Sequence, residues 1–282
     1  MPHLRTPSGI EWYYELEGQG PVILFLHGWG CNAQVWAQQV KHFASTHRML
    51  TLDLPGHGRS CWEKTGVAQM ARDVVHIIET LGIDNAHGVA SSLGALLAFS
   101  LSANRPEFFL SLTTVGSLPK FAQDAGYPYG LAPHRIRKLR QQLATDYPAI
   151  VQIFFRSLFT KEERESERFK WLDSFRAPEM VPHKEALETF LDFVEFEDWR
   201  NDFARLRSPL FFISGTEDYI CPLGSVEYLK SVHSKARVEL FEGCGHFPFL
   251  SRPGKFNDLL AKFLADSEQR IADSSNQFKR DR

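Results

Sequence analysis

Short apolar runs alternate with amphipathic ones through the first half of the chain. Ile10, Trp12, Tyr14 and Leu16 fall on one face of an alternating stretch, which predicts an early antiparallel strand over Ile10–Leu16. Pro21–Leu26 (PVILFL) is apolar throughout, as in a strand buried on both faces. Arg48–Leu54 (RMLTLDL) repeats that pattern and ends at the turn-forming Pro55-Gly56-His57-Gly58. Val67, Met70, Ala71, Val74, Val75, Ile78 and Leu81 recur at helical spacing and predict a helix over Val67–Leu81. Strand Ala86–Ala90, helix Leu93–Ala103 and strand Phe109–Val115 follow. Strands and helices taking turns with short connections imply a largely parallel sheet covered by helices.

The rhythm breaks between Pro119 and Arg207, where Arg135–Leu143, Ala149–Phe159, Lys161–Phe175 and Lys184–Phe196 read as helices and no strand pattern occurs. It resumes with strand Leu210–Ser214, helix Leu223–Val232, strand Arg237–Phe241 and helix Lys255–Ala265. The expected organisation is an α/β core over residues 1–118 and 208–282, interrupted by a helical cap over 119–207. The tail after Ala265 is polar and is expected to fray.

Composition narrows the class of function. The 282 residues carry 32 Lys+Arg and 34 Asp+Glu, a formal charge of −2, so the concentrated basic surface that nucleic-acid binding needs is not expected. The apolar stretches are too short to span a bilayer, and Met1–Gly18 lacks a secretory signal pattern, so a soluble, cytoplasmic protein without membrane association is expected. Cys31, Cys61, Cys221 and Cys244 form no CxxC pair or zinc-type cluster. They read as thiols in a reducing compartment, and neither metal nor cofactor is implied. The 23 Phe residues fill a core and leave some for an apolar pocket.

The chemistry begins at Ala90-Ser91-Ser92-Leu93-Gly94, where a strand gives way to a helix. A nucleophile at such a turn needs small residues two before and two after it, because those positions nearly touch. Ser92 has Ala90 and Gly94 there, whereas Ser91 has Val89 and Leu93, so Ser92 is the candidate. A serine hydroxyl needs a base, and the base an orienting acid. Asp218 follows strand Leu210–Ser214 in the loop GTEDYICP, with Glu217 as its rival. His246 follows strand Arg237–Phe241 in GCGHFPF. His27 and His57 also lie in Gly-rich loops, but both precede Ser92 and break the order serine, acid, histidine. The amides of Leu93 and of Trp29, in the loop His27-Gly28-Trp29-Gly30, are placed to bind a developing oxyanion.

With DLPGHGRS at Asp53–Ser60, these motifs resemble the α/β-hydrolase superfamily from about residue 10 to 265, which implies a mostly parallel eight-stranded sheet with a helical cap. Within it, His27–Trp36, Leu54-Pro55-Gly56 and Arg59-Ser60 are similar to the carboxylesterases of biotin synthesis, which hydrolyse the methyl ester of pimeloyl-acyl carrier protein. The resemblance implies a Ser92-His246-Asp218 triad, Trp29 and Leu93 as oxyanion donors, and Phe154 as a substrate-lining residue. The chain departs from the usual Gly-Trp-Ser-Leu-Gly-Gly: it has Ala90-Ser91-Ser92-Leu93-Gly94-Ala95 and lacks the Trp beside the nucleophile. The same motifs serve general short-chain esterases, lactonases and carbon–carbon bond hydrolases, and a ligand-binding protein can keep the fold. Ser92 excludes the carboxylate nucleophile of haloalkane dehalogenases.

The overall charge conceals an asymmetry in the cap. Leu131–Arg176 holds ten Lys+Arg and six Asp+Glu, and Ala177–Arg200 two and seven. Arg135, Arg137, Lys138 and Arg140 are clustered, and Arg164 and Arg168 are expected to share a helix face. A basic face of this kind would steer an acidic acyl carrier protein presenting a carrier-linked ester. A small-molecule ester is the alternative substrate, and the oligomeric state stays open.

Overall fold

The computed structural model describes residues 2–174 and 180–280. Among them eight strands form one sheet: β1 (His3–Arg5), β2 (Glu11–Gly18), β3 (Val22–Leu26), β4 (Arg48–Leu52), β5 (Ala86–Ser91), β6 (Phe109–Val115), β7 (Leu210–Gly215) and β8 (Arg237–Phe241). Their order is β1-β2-β4-β3-β5-β6-β7-β8. β1 and β2 pair antiparallel, and every pairing from β4 to β8 is parallel. β5 is buried along its whole length, as expected of a central strand covered on both faces. In-register pairs Leu26↔Ala90, Ser91↔Val115, Val115↔Ile213 and Gly215↔Phe241 bring five carboxyl strand ends to one edge, where open α/β sheets bind ligands.

The covering helices are α1 (Ala37–Phe43), α2 (Val67–Thr80), α3 (Gly94–Asn104), α10 (Leu223–Val232), α11 (Pro248–Ser251) and α12 (Pro253–Arg280); the inserted stretch supplies α4 (Pro133–Asp146), α5 (Ala149–Ser157), α6 (Lys161–Glu165), α7 (Glu167–Ser174), α8 (Lys184–Phe196) and α9 (Arg200–Ala204). α3 is apolar on all sides and buried from Gly94 to Leu101, fitting a helix between the sheet and its neighbours. α9 packs on the core, with Phe203 against Phe99 of α3 and Phe212 of β7. The insertion closes on itself just before, where the Trp199 N–H donates to the Pro119 carbonyl at 2.8 Å.

Three features differ from the sequence expectations. The helix expected over Lys161–Phe175 is two helices, because Ser166 adopts ψ 150°. Its hydroxyl donates to the Glu163 carbonyl at 2.6 Å and accepts the Phe169 N–H at 3.1 Å, ending one helix and starting the next. Arg164 and Arg168 therefore lie on different helices; Phe175 lies outside the described residues. The polar tail is helical to Arg280 rather than frayed. Its Ser267 is buried, and Glu268 Oε1 lies 3.4 Å from both His47 Nε2 and His87 Nε2, so internal partners hold it to the sheet. A 3-10 turn at Ala33–Trp36 leads into α1, where apolar positions are sparse and Gln39 is buried instead, donating to Asn257 at 2.9 Å.

Candidate active site

Ser92 occupies the turn between β5 and α3 with φ 53°, the sole non-glycine residue at positive φ among those described. Such a backbone costs on the order of 1–3 kcal/mol and persists because its surroundings over-determine it. The Ser92 N–H donates to the Val115 carbonyl at 2.9 Å, and the Ser92 carbonyl accepts the Ala95 N–H at 3.0 Å. A Cβ at Gly94 would stand 2.5 Å from the His27 carbonyl oxygen, so the residue two after Ser92 has room for hydrogen alone. The side chain of Ser92 is half-buried, whereas Ser91 points into the core with its hydroxyl unpartnered.

Asp218 and His246 meet across two loops. His246 Nδ1 donates to Asp218 Oδ2 at 2.7 Å, leaving the Nε2 lone pair for a proton. Asp218 Oδ1 accepts the N–H groups of Ile220 (2.8 Å) and Cys221 (3.1 Å), which fixes the carboxylate; the rival Glu217 is exposed. A Cβ at Gly116 would lie 2.8 Å from His246 Nδ1, so the end of β6 abuts the imidazole. Ser92 and His246 thus flank the same strand end through Val115 and Gly116, without a direct hydrogen bond among the described contacts. Catalytic hydrogen bonds are often long in unliganded enzymes and tighten around substrate.

The N–H groups of Trp29 and Leu93 find no acceptor among the described residues, although the two residues are only 6% and 1% exposed. Unpaired buried amides are rare, and here two lie in loops that meet where Gly94 packs on His27. Two buried histidines shape that region. His27 Nε2 accepts the Leu54 N–H at 2.9 Å and its Nδ1 donates to the Gly28 carbonyl at 2.9 Å. His57 Nε2 accepts the Gly30 N–H at 3.3 Å and its Nδ1 donates to the Pro55 carbonyl at 3.1 Å. Burial lowers His27 to a pKa of about 4, and burial with the nearby His27 lowers His57 to about 3, so both stay neutral supports. Asp53 completes the frame, accepting the Ala33 and Arg59 N–H groups at 2.7 and 2.8 Å.

The helices between β6 and β7 reach this region at several points. Trp29 Nε1 donates to the Leu187 carbonyl of α8 at 3.0 Å, and its ring meets Phe154 of α5 edge-on at 4.9 Å. Phe155 and Phe159 pack on Phe247, next to His246. Ser157 and Tyr219 share a hydrogen bond of 2.9 Å, and the Arg135 guanidinium lies 5.6 Å from the Tyr219 ring centre. Sequence reasoning missed Tyr219, Ser157 and Leu187; only Tyr219 carried a signal, as the neighbour of Asp218.

The six basic cap residues divide into two groups. Arg140 pairs with Asp192 and Glu195 of α8, each at 2.9 Å. Arg164 donates to the Phe159 carbonyl, and Arg168 to the Leu250 carbonyl at 3.1 Å. Arg135, Arg137 and Lys138 are exposed on α4, and none forms an ion pair among the described residues.

Asp218, Cys221 and His246 offer three donor atoms within 4.8 Å of one another. They fit a metal poorly. Asp218 is saturated by His246 and two backbone amides, and burial together with Asp218 pushes the Cys221 thiol well above its ordinary value, away from the thiolate a metal needs. The four cysteines form no disulfide, and no described helix is long and apolar enough to cross a membrane.

Residues 21–253 match the family model of the alpha/beta hydrolase fold. A pimeloyl-[acyl-carrier protein] methyl ester esterase of Nitrosomonas europaea is 29% identical over 248 residues, which are 86% of this chain and 96% of that protein. The esterase of the same name from Aeromonas hydrophila is 30% identical over 250 residues, 88% of this chain and 96% of that one. Among solved structures, an esterase from Exiguobacterium antarcticum superposes with a TM-score of 0.84 at 24% identity, covering 93% of this chain and 98% of its own. An enol-lactonase from Burkholderia xenovorans gives 0.82 at 22% identity, covering 94% and 100%. The chain belongs to the α/β-hydrolase family, on the branch of carboxylic ester hydrolases that its curated relatives occupy.

Proposed function

We propose that the protein is a serine carboxylesterase that hydrolyses the methyl ester of pimeloyl-[acyl-carrier protein], with Ser92, His246 and Asp218 as its triad. The observation that carries the chemistry is the 2.7 Å pair of His246 and Asp218 beside the strained Ser92 turn, with two unpaired buried amides at hand. The substrate rests on the curated relatives, which carry that name along nearly their whole length.

Ser92 Oγ attacks the ester carbonyl carbon while His246 Nε2 takes its proton. Asp218 holds the imidazole tautomer and stabilises the imidazolium. The Trp29 and Leu93 amides bind the oxyanion, and losing one such donor costs about 3–4 kcal/mol. The tetrahedral intermediate collapses, and methanol leaves with the proton from Nε2. Water then gives a proton to Nε2 and attacks the acyl-serine, which releases the free acid and restores Ser92. Phe154, beside Trp29, lines the path of the acyl chain.

The carrier docks on α4 through Arg135, Arg137 and Lys138, since Arg140 and Arg164 are engaged within the inserted helices and Arg168 holds the Leu250 carbonyl of α11. Ser92→Ala is expected to abolish turnover of p-nitrophenyl acetate in a folded protein; retained turnover would remove the triad. Reversing Arg135, Arg137 and Lys138 to Glu is expected to slow hydrolysis of the carrier-linked ester at least tenfold more than that of the small ester. Equal effects would remove the docking face. Restored growth without biotin in a bacterium lacking its pimeloyl-ester esterase tests the physiological substrate.

A further inference from the structure

The loop that carries His246 is held from two sides. From the core, Asp218 takes the imidazole at Nδ1 and Gly116 closes the space beside it. From the cap, two successive backbone amides of the loop find their acceptors: the Gly245 N–H donates to Glu163 Oε2 at 3.0 Å, and the His246 N–H to the Leu158 carbonyl at 2.8 Å. The two backbones lie so close that a Cβ at Gly245 would stand 2.3 Å from the Leu158 oxygen.

Glu163 also has a local task. Its Oε2 accepts the Thr160 N–H at 2.7 Å while its own N–H donates to Thr160 Oγ1 at 3.1 Å, the reciprocal capping box that starts α6. A capping box alone leaves the bond to Gly245, 82 residues away, unexplained. One carboxylate oxygen thus serves two amides, the start of a cap helix and the residue before the candidate base. A carboxylate oxygen has lone pairs enough for two amides, so Glu163 holds both sides of this seam at once.

We propose that Glu163 is a positioning residue for His246: held at the start of α6, its carboxylate grips the Gly245 amide and sets where the adjacent imidazole stands relative to Ser92. This inference rests on the reading of Ser92, His246 and Asp218 as the reactive set. It makes the seating of the cap part of the geometry of the base. Asp218 and the end of β6 fix the ring side of His246, the Leu158 carbonyl and Glu163 fix its backbone side, and a displacement of about 1 Å in a reacting group costs on the order of 100-fold in rate.

The test is steady-state hydrolysis of p-nitrophenyl acetate by the full chain, normalised to active sites by burst titration. It is joined by the low-field proton NMR signal of the His246 Nδ1–H. Glu163→Ala is expected to lower kcat 10- to 100-fold with KM within about twofold, and to broaden or shift that proton signal. Glu163→Gln keeps an acceptor oxygen and is expected to return kcat to within about threefold of the parent. Thr160→Ala weakens the same helix start but leaves the Gly245 bond, and is expected to keep parental kcat. Should the alanine variant not fold, Glu163→Asp, too short to reach both amides, is expected to show the same loss of kcat. Parental kcat and an unchanged proton signal in Glu163→Ala or Glu163→Asp overturn the proposal. So does a loss in Thr160→Ala equal to that in Glu163→Ala, which would mean general loosening of the cap. Ser92→Ala run alongside separates the two readings: if it keeps turnover, the triad fails; if it is dead while Glu163→Ala is unimpaired, only the positioning role fails.

Discussion

Replacing Gly116 by alanine removes no group that takes part in proton transfer, yet it should disable the site. Two costs arise. Gly116 has φ +54°, where an added Cβ costs about 1–2 kcal/mol. That Cβ would also lie 2.8 Å from His246 Nδ1 and 2.9 Å from Cε1. Restoring an ordinary carbon–nitrogen contact moves the ring by about 0.6 Å, and with it the nitrogen that holds the 2.7 Å bond to Asp218. If a misplacement of about 1 Å costs on the order of 100-fold, this shift costs about tenfold or more in kcat. Gly82 supplies the control, with φ +66° and nothing within 4 Å of its virtual Cβ. Gly82→Ala carries the backbone strain without the collision. Gly82→Ala should therefore lose about 1–2 kcal/mol in urea denaturation, and Gly116→Ala should lose that much or more. Only Gly116→Ala should lose turnover of p-nitrophenyl acetate. Parental kcat in folded Gly116→Ala, or equal losses in both variants, would refute the argument that the end of β6 sets the place of the imidazole.

Acid should unfold the protein early. Burial holds His27 and His87 at pKa values of about 4 and His57 at about 3, against an ordinary 6.5. The unfolded chain therefore binds more protons than the native one below pH 6.5. Stability is full above that pH, falls as pH drops through 6.5, and levels off only near the native values, with a shift from 6.5 to about 4 worth about 3 kcal/mol. A flat Tm between pH 7 and 5 would contradict this. Asp53→Ala leaves the Ala33 and Arg59 amides unpaired in the loops that support Trp29, and should cost about 2–4 kcal/mol in urea denaturation and lower kcat. Arg140→Ala breaks the partly exposed pairs to Asp192 and Glu195, and should cost about 1 kcal/mol or less with no change in small-ester turnover.

Turn geometry that is local in sequence was readable before the fold. The choice of Ser92 over Ser91 needed only the sizes of Ala90, Gly94, Val89 and Leu93, because a tight turn brings its own flanks together. The parallel strands were equally plain, since burial on both faces writes continuous apolar runs such as PVILFL. What escaped is set by distant partners. Leu187 receives the Trp29 indole across 158 residues, and Glu163 receives the Gly245 amide across 82. No periodicity encodes such bonds. The tail misled for a related reason: its polar composition suggests solvent, while Glu268 faces two histidines from the far side of the sequence. The helical break at Ser166 hid inside a run whose charges suit one continuous helix.

The Trp199–Pro119 hydrogen bond, which closes the inserted helices at their base, bears on how such proteins diversify. A segment whose two ends meet at one backbone contact can be exchanged for another of different length without altering the register of β6 and β7. Exchange of that segment between relatives then leaves the sheet edge that carries Ser92, Asp218 and His246 unchanged. The second attachment sets its condition. On the proposed role of Glu163, an incoming segment needs a carbonyl where Leu158 stands and an acceptor where Glu163 stands to keep the loop of His246 in place.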